Sequence, residues 1–139
     1  MAEVQSAGPF SIFPGIDRTL CVLSGGLSLD IEGQTKRLQV WSAPFAFPGD
    51  VNAFGAPLGG AVLDLNIMTK RGGWTAEVSR LRGDGSVPAA DTIIMIATGP
   101  ASINGRDVAY FDAFMINNPS SPVDFFSHKP IYAVRLLSV

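Results

Sequence analysis

The chain has one cysteine, one histidine, little charge and no long apolar run, and each scarcity narrows what it can do. The single cysteine, Cys21, cannot form an internal disulfide; inside an apolar stretch it reads as a buried structural thiol rather than a nucleophile. The single histidine, His128 in "FFSHKP", leaves no histidine set for a metal and no acid–histidine–nucleophile constellation, and it reads as a surface-loop residue. Charged residues make up 16% of the chain, the net charge is -2 and no Lys/Arg run occurs, which argues against nucleic acid as a partner. No run reaches the roughly 18 apolar residues of a membrane span, so no membrane association is expected. The opening "MAEVQSAGPF" has neither the basic nor the apolar region of a signal peptide, and the expected compartment is the cytoplasm.

What is present is apolar residues and turn formers. Hydrophobic residues are 47% of 139, enough for a real core, and Gly 15 with Pro 10 supplies the turns of an all-β fold. Period-2 or continuous apolar runs dominate: "RTLCVLSG", "GLSLDIEG", "KRLQVWS", "APFAFPGD", "GAVLDLNIMTK", "WTAEVSRL", "TIIMIATG", "DVAYFDAFMI" and "IYAVRLLSV". The first two read as a hairpin across Gly25-Gly26. "RGDGSVPAAD" reads as the main turn and linker. Trp41 and Trp74 read as half-buried packing residues at strand ends. The order of pieces repeats, with Gly25 matching Gly99, Gly33 matching Gly105 and Phe45 matching Phe114. Two β units in tandem imply a duplicated small barrel or sandwich within one domain, 1–139, with halves at 1–82 and 91–139 and a linker at 83–90.

The Gly-spaced unit has the sequence shape of a cupin half-domain. The segments "GPFSIFPGIDRTLCVLSGG", "PFAFPGD" and "VLDLNIMTKRGG" together resemble the HutD/Ves family, a group of metal-less bicupins, from about Glu3 to the end. The resemblance implies a cupin-type fold of two β-barrel halves and an association with histidine utilisation. It also implies binding of a small acidic pathway metabolite (formylglutamate- or urocanate-like) without established catalysis and without a cofactor. Family members usually carry a further N-terminal segment, so the first half is expected to be N-terminally shortened. An uncovered strand edge there would favour a homo-oligomer.

Metal-binding cupins place two histidines and a glutamate on the strand before the hairpin glycine. Counting back from Gly25 puts Arg18 in the glutamate position, Pro14 or Phe13 in the second histidine position, and Ile12 or Ser11 in the first. The later histidine position falls near Asn52, and in the second half Gly99 counts back to Thr92. None of these ligates a divalent ion, so no metal is expected.

A cation thus stands where a metal-binding anion would be. Arg18 brings a planar fork of donors suited to a carboxylate, and buried it must find a partner. Strand neighbours point to opposite faces, so Asp17 is expected to cap the Pro14-Gly15 turn while Arg18 faces the barrel. Arg18 then either binds an anionic ligand or pairs internally with Asp64. In "VLDLNIMTK", Asp64, Asn66 and Met68 share one face, which lines the pocket or lies on the outer surface. In the pocket reading, Asp64 braces Arg18, Asn66 orients the ligand, Met68 forms an adaptable wall, and Phe10, Phe13 and Phe47 exclude water. "TKRGG" reads as a solvated turn. The alternatives to a non-catalytic carboxylate-binding protein are a metal-independent cupin isomerase or epimerase, and a structural or interaction domain.

Overall fold

A computed structural model describes residues 1–139 as fourteen β-strands without a helix. They divide into two compact units, Met1–Arg71 and Gly72–Val139. The first holds β1 (Ala2–Val4), β2 (Gly8–Pro9), β3 (Ile16–Ser24), β4 (Gly26–Ile31), β5 (Gln34–Gln39), β6 (Phe45–Pro48), β7 (Ala53–Pro57) and β8 (Val62–Lys70). They form two antiparallel sheets, β1-β8-β3-β6 and β2-β7-β4-β5. Alternation turns Leu20, Val22, Phe47 and Val62 of one sheet and Leu27, Leu29, Leu38 and Ala53 of the other into a shared core. Leu20, Leu27 and Leu29 are fully buried, and each such side chain contributes about 1.5–3 kcal/mol relative to exposure.

The second unit holds β9 (Trp74–Val87), β10 (Thr92–Ala97), β11 (Ala101–Ile103), β12 (Arg106–Val108), β13 (Ala113–Asn117) and β14 (Val123–Ser138) in one six-stranded sheet. Its spine is β14, paired with β9 along one edge and with β11 and then β10 along the other. A register shift between Ser127 and Ile131 separates those two stretches. Ile93, Met95, Ile103, Val123, Phe125 and Ile131 form the core of this unit.

The sequence-derived picture of two β halves holds, with four corrections. β3 and β4 are not a hairpin: β3 pairs with β6 and β8, and β4 with β5 and β7. The Gly25 turn instead carries the chain from one sheet to the other. Gly25 has φ +79, and a Cβ there would lie 2.7 Å from the Ala61 carbonyl oxygen, so only glycine fits. Residues 83–90 are not a linker; through Val87 they belong to β9, paired with β14, and the division of the chain falls at Arg71/Gly72. Gly85 there leaves room for the Phe125 ring, where a Cβ would come within 3.0 Å. His128 lies in β14 rather than a loop and meets Phe126 edge-on at 4.9 Å. Trp41 and Trp74 are exposed (72% and 41%) rather than half-buried.

Candidate functional site

The Pro14-Gly15 turn fixes how the chain enters β3. Gly15 has φ +72, and Ile16 N–H donates to the Phe13 carbonyl at 3.2 Å. From Ile16 onward the alternation sends Arg18, Leu20 and Val22 inward and Asp17 outward. Cross-strand register places Phe47 and Met68 on either side of Arg18, Phe45 and Asn66 on either side of Leu20, and Asp64 beside Val22. Paired residues share a face, so Asp64, Asn66 and Met68 lie on the Arg18 side of β8.

Arg18 is 5% exposed. Its Nη2 donates to Asn66 Oδ1 at 2.7 Å, and its Nη1 to the Ser11 carbonyl at a long 3.3 Å. The Nε is buried and has no partner. Three rings surround the guanidinium: its central carbon lies 5.2 Å from the Phe10 centroid, 5.4 Å from Phe13 and 5.1 Å from Phe47. Desolvated contacts of this kind favour the cation by about 0.5–2 kcal/mol each. Two glycines make the enclosure possible. A Cβ on Gly55 would lie 2.6 Å from the Phe10 ring, and one on Gly49 would lie 2.8 Å from the Ile16 carbonyl oxygen.

Asp64 is 1% exposed and does not touch the guanidinium directly. Asn66 Nδ2 donates to Asp64 Oδ1 at 2.9 Å, so the acid reaches Arg18 through the Asn66 amide. Burial pushes the Asp64 carboxyl above its ordinary range, against the lowering effects of the Asn66 hydrogen bond and the Arg18 charge. Burial likewise draws the Arg18 guanidinium below its ordinary value, opposed by the charge of Asp64. An arginine side chain is a cation at neutral pH in proteins. The Asn66 oxygen is spent on Arg18 and one of its amide hydrogens on Asp64. Met68 is 44% exposed and stands beside Arg18 at the edge of this cluster.

Asp17 departs from the expected turn cap. Its Oδ1 accepts from Arg71 Nε and Nη2 at 2.9 and 2.8 Å, and the same guanidinium donates to both oxygens of Asp50 at 2.9 and 3.1 Å. The "TKRGG" turn therefore contributes an arginine that ties the start of β3 to the turn after β6. This role is invisible to local pattern, because Arg71 and Asp17 are 54 residues apart.

A cleft of about 420 Å³ adjoins the cluster. Phe10, Ile12, Phe54 and Asn52 line it together with Asp30 and Glu32. No three His, Cys, Asp or Glu side chains converge anywhere in the chain. The Cys21 thiol is 2% exposed, and burial, with the nearby Asp64 charge, pushes its pKa up to about 12. It is chemically inert in the folded state.

A family model for HutD matches residues 1–125. A Pseudomonas putida protein described as an uncharacterized 21.2 kDa protein in the hutC 3' region is 30% identical over 113 residues, covering 78% of this chain and 60% of that protein. Protein Ves of Citrobacter koseri is 38% identical over 86 residues, 56% of this chain and 42% of that one. The chain thus spans less than two thirds of the length of either relative. Among solved structures, HutD from Pseudomonas fluorescens SBW25 superposes with a TM-score of 0.88 at 20% identity, covering 99% of this chain and 76% of that one. A cupin 2 conserved barrel domain protein from Leptotrichia buccalis superposes at 0.52 and 8% identity over 97% of this chain and 79% of its own, a likeness of fold alone. The fold is therefore all-β and cupin-like.

Proposed function

Because this chain belongs to the HutD family, we propose that it is a non-catalytic protein that binds a small carboxylate at Arg18. The observation that carries the reading is a buried guanidinium with an unpartnered Nε and a weak 3.3 Å contact to a backbone carbonyl. A buried charged donor left without an acceptor is costly, and a carboxylate would relieve that cost with a charge-assisted bond. Phe10, Phe13 and Phe47 keep water away and strengthen the attraction. Asn66 and Asp64 hold the fork in place and offset part of its charge.

The relative named for its position beside hutC supports a ligand drawn from histidine breakdown, formylglutamate- or urocanate-like. An isomerase or epimerase would need a base facing the ligand. The best-placed acid, Asp64, is 1% exposed and already bonded to Asn66, which suits a counter-charge better. No helix is long and apolar enough to cross a membrane.

Calorimetric titration of formylglutamate, urocanate and glutamate tests the reading. A charge-assisted bond to arginine is worth roughly 1.5–3 kcal/mol, so Arg18→Ala should weaken the bound acid by about ten- to a hundredfold. Arg18→Lys should recover only part of that, because a point charge cannot reproduce the planar fork. Equal binding by wild type and Arg18→Ala would place the ligand elsewhere.

A further inference from the structure

The segment Phe10-Ser11-Ile12 is a partition with two sides. The Ser11 carbonyl accepts from Arg18, while Phe10 and Ile12 line the 420 Å³ cleft. Phe10 is therefore shared: its ring packs on the Arg18 guanidinium, and the residue also lines the cleft. The partition is anchored at its two ends by backbone bonds, Phe10 N–H to the Ala53 carbonyl and Phe13 N–H to the Gly49 carbonyl, both 2.8 Å. Between those anchors only the long Arg18–Ser11 contact is made by Ser11.

The cleft beyond it has a definite chemistry. Ile12 and Phe54 give apolar surface, 51% and 49% exposed. Asp30 and Glu32 supply two carboxylates, and no lysine, arginine or histidine lines the space. Their positions are set by the β4–β5 turn, in which Glu32 and Gly33 both have positive φ and Gly33 N–H donates to Asp30 Oδ1 at 3.0 Å. That bond uses one Asp30 oxygen and leaves the other to accept.

We infer that this cleft is the subsite for the far end of the ligand, and that the ligand is a carboxylic acid carrying an ammonium or an N–H-donating heterocycle across a short apolar spacer. The inference rests on the carboxylate reading of Arg18 and narrows it to the urocanate-like acid, because formylglutamate would bring a second carboxylate to Asp30 and Glu32. A cation at the far end meets Asp30 and Glu32, whereas a second carboxylate meets only like charge. The spacer crosses the Phe10 ring and lies against Ile12 and Phe54. The carboxylate supplies the acceptor that the buried Arg18 Nε lacks.

The experiment compares 4-aminobutyrate, glutarate and butyrate, which share a three-carbon aliphatic unit next to the carboxylate and differ in the far end, by calorimetry on the full chain. Wild type should bind 4-aminobutyrate about tenfold more tightly than glutarate, with butyrate between them. The double variant Asp30→Asn/Glu32→Gln, with its melting temperature checked against wild type, should lose that preference. Glutarate binding as tightly as 4-aminobutyrate in wild type, or a preference that survives the double variant, would overturn the inference. If the order fails while Arg18→Ala still weakens butyrate, the carboxylate site stands and only the subsite falls. If Arg18→Ala leaves all three acids unaffected, both fall.

Discussion

Gly55 decides where the Phe10 ring can lie. Its missing Cβ leaves the ring edge room that a methyl group would occupy at 2.6 Å. Gly55→Ala should displace Phe10, destabilise the fold by about 1–3 kcal/mol through overpacking, and weaken carboxylate binding by unroofing Arg18. A thermal melt and a parallel titration check this; an unchanged melting temperature with unchanged affinity would count against the packing described. At this scale the sequence was informative about direction and poor about partners. Strand alternation alone places Arg18 inward and Asp17 outward, and both lie so. The expected brace from Asp64 is present but indirect, because the Asn66 amide stands between the two charges. Nothing in a one-dimensional pattern shows whether an amide faces a ligand or is consumed within the protein.

The elements around the site are held by Arg71, which draws Asp17 of β3 and Asp50 of the β6–β7 turn to the end of β8. The Arg71 hydrogen bond is the main cause that lowers Asp50 from an ordinary 3.8 to about 2. A depressed folded-state pKa gives stability that is present above the unfolded value and lost as pH falls through the folded one. This contribution should fade between about pH 4 and pH 2, and Asp50→Asn should flatten the acid limb of stability in that window. Urea melts of both proteins across the window measure it; superimposable pH profiles would show that the tie is not stabilising. High salt should shrink the difference, since the pair is exposed. Strand positions were legible because burial imposes period 2 on the chain. Strand partners were not: "TLCVLSGGLSLDIEG" fits a hairpin locally, yet β3 and β4 belong to different sheets, and that choice is made by residues far along the chain. The glycines of "RGDGS" misled in the same way, since β9 keeps them in strand pairing with β14.

Across the whole molecule, the two units share one wiring plan, which is the physical content of the sequence repeat. β3 pairs with β6 and β8 as β10 pairs with β13 and the later part of β14; β4 pairs with β5 and β7 as β11 pairs with β12 and the earlier part of β14. The outer edges differ. β9, fourteen residues long, runs beside β14, whereas on the edge away from β3 the strand β8 meets only the three-residue β1, at Val62–Asp64. An edge left this open invites pairing with a second copy. Light scattering at tens of micromolar, an order-of-magnitude choice, should give a mass above the 14.7 kDa of one chain; a mass of one chain would remove the proposal of a homo-oligomer. The same wiring treats one connection in opposite ways. Between β7 and β8 the chain runs through exposed Gly59 and Gly60, where added side-chain atoms would touch nothing within 4 Å. At the equivalent point in β14, the carbonyls of His128, Lys129 and Pro130 are claimed by Arg82, Ser127 and Thr98. A peptide tag grafted between Gly59 and Gly60 should therefore leave the fold intact, while the matching graft at Lys129 would cut a stitched seam.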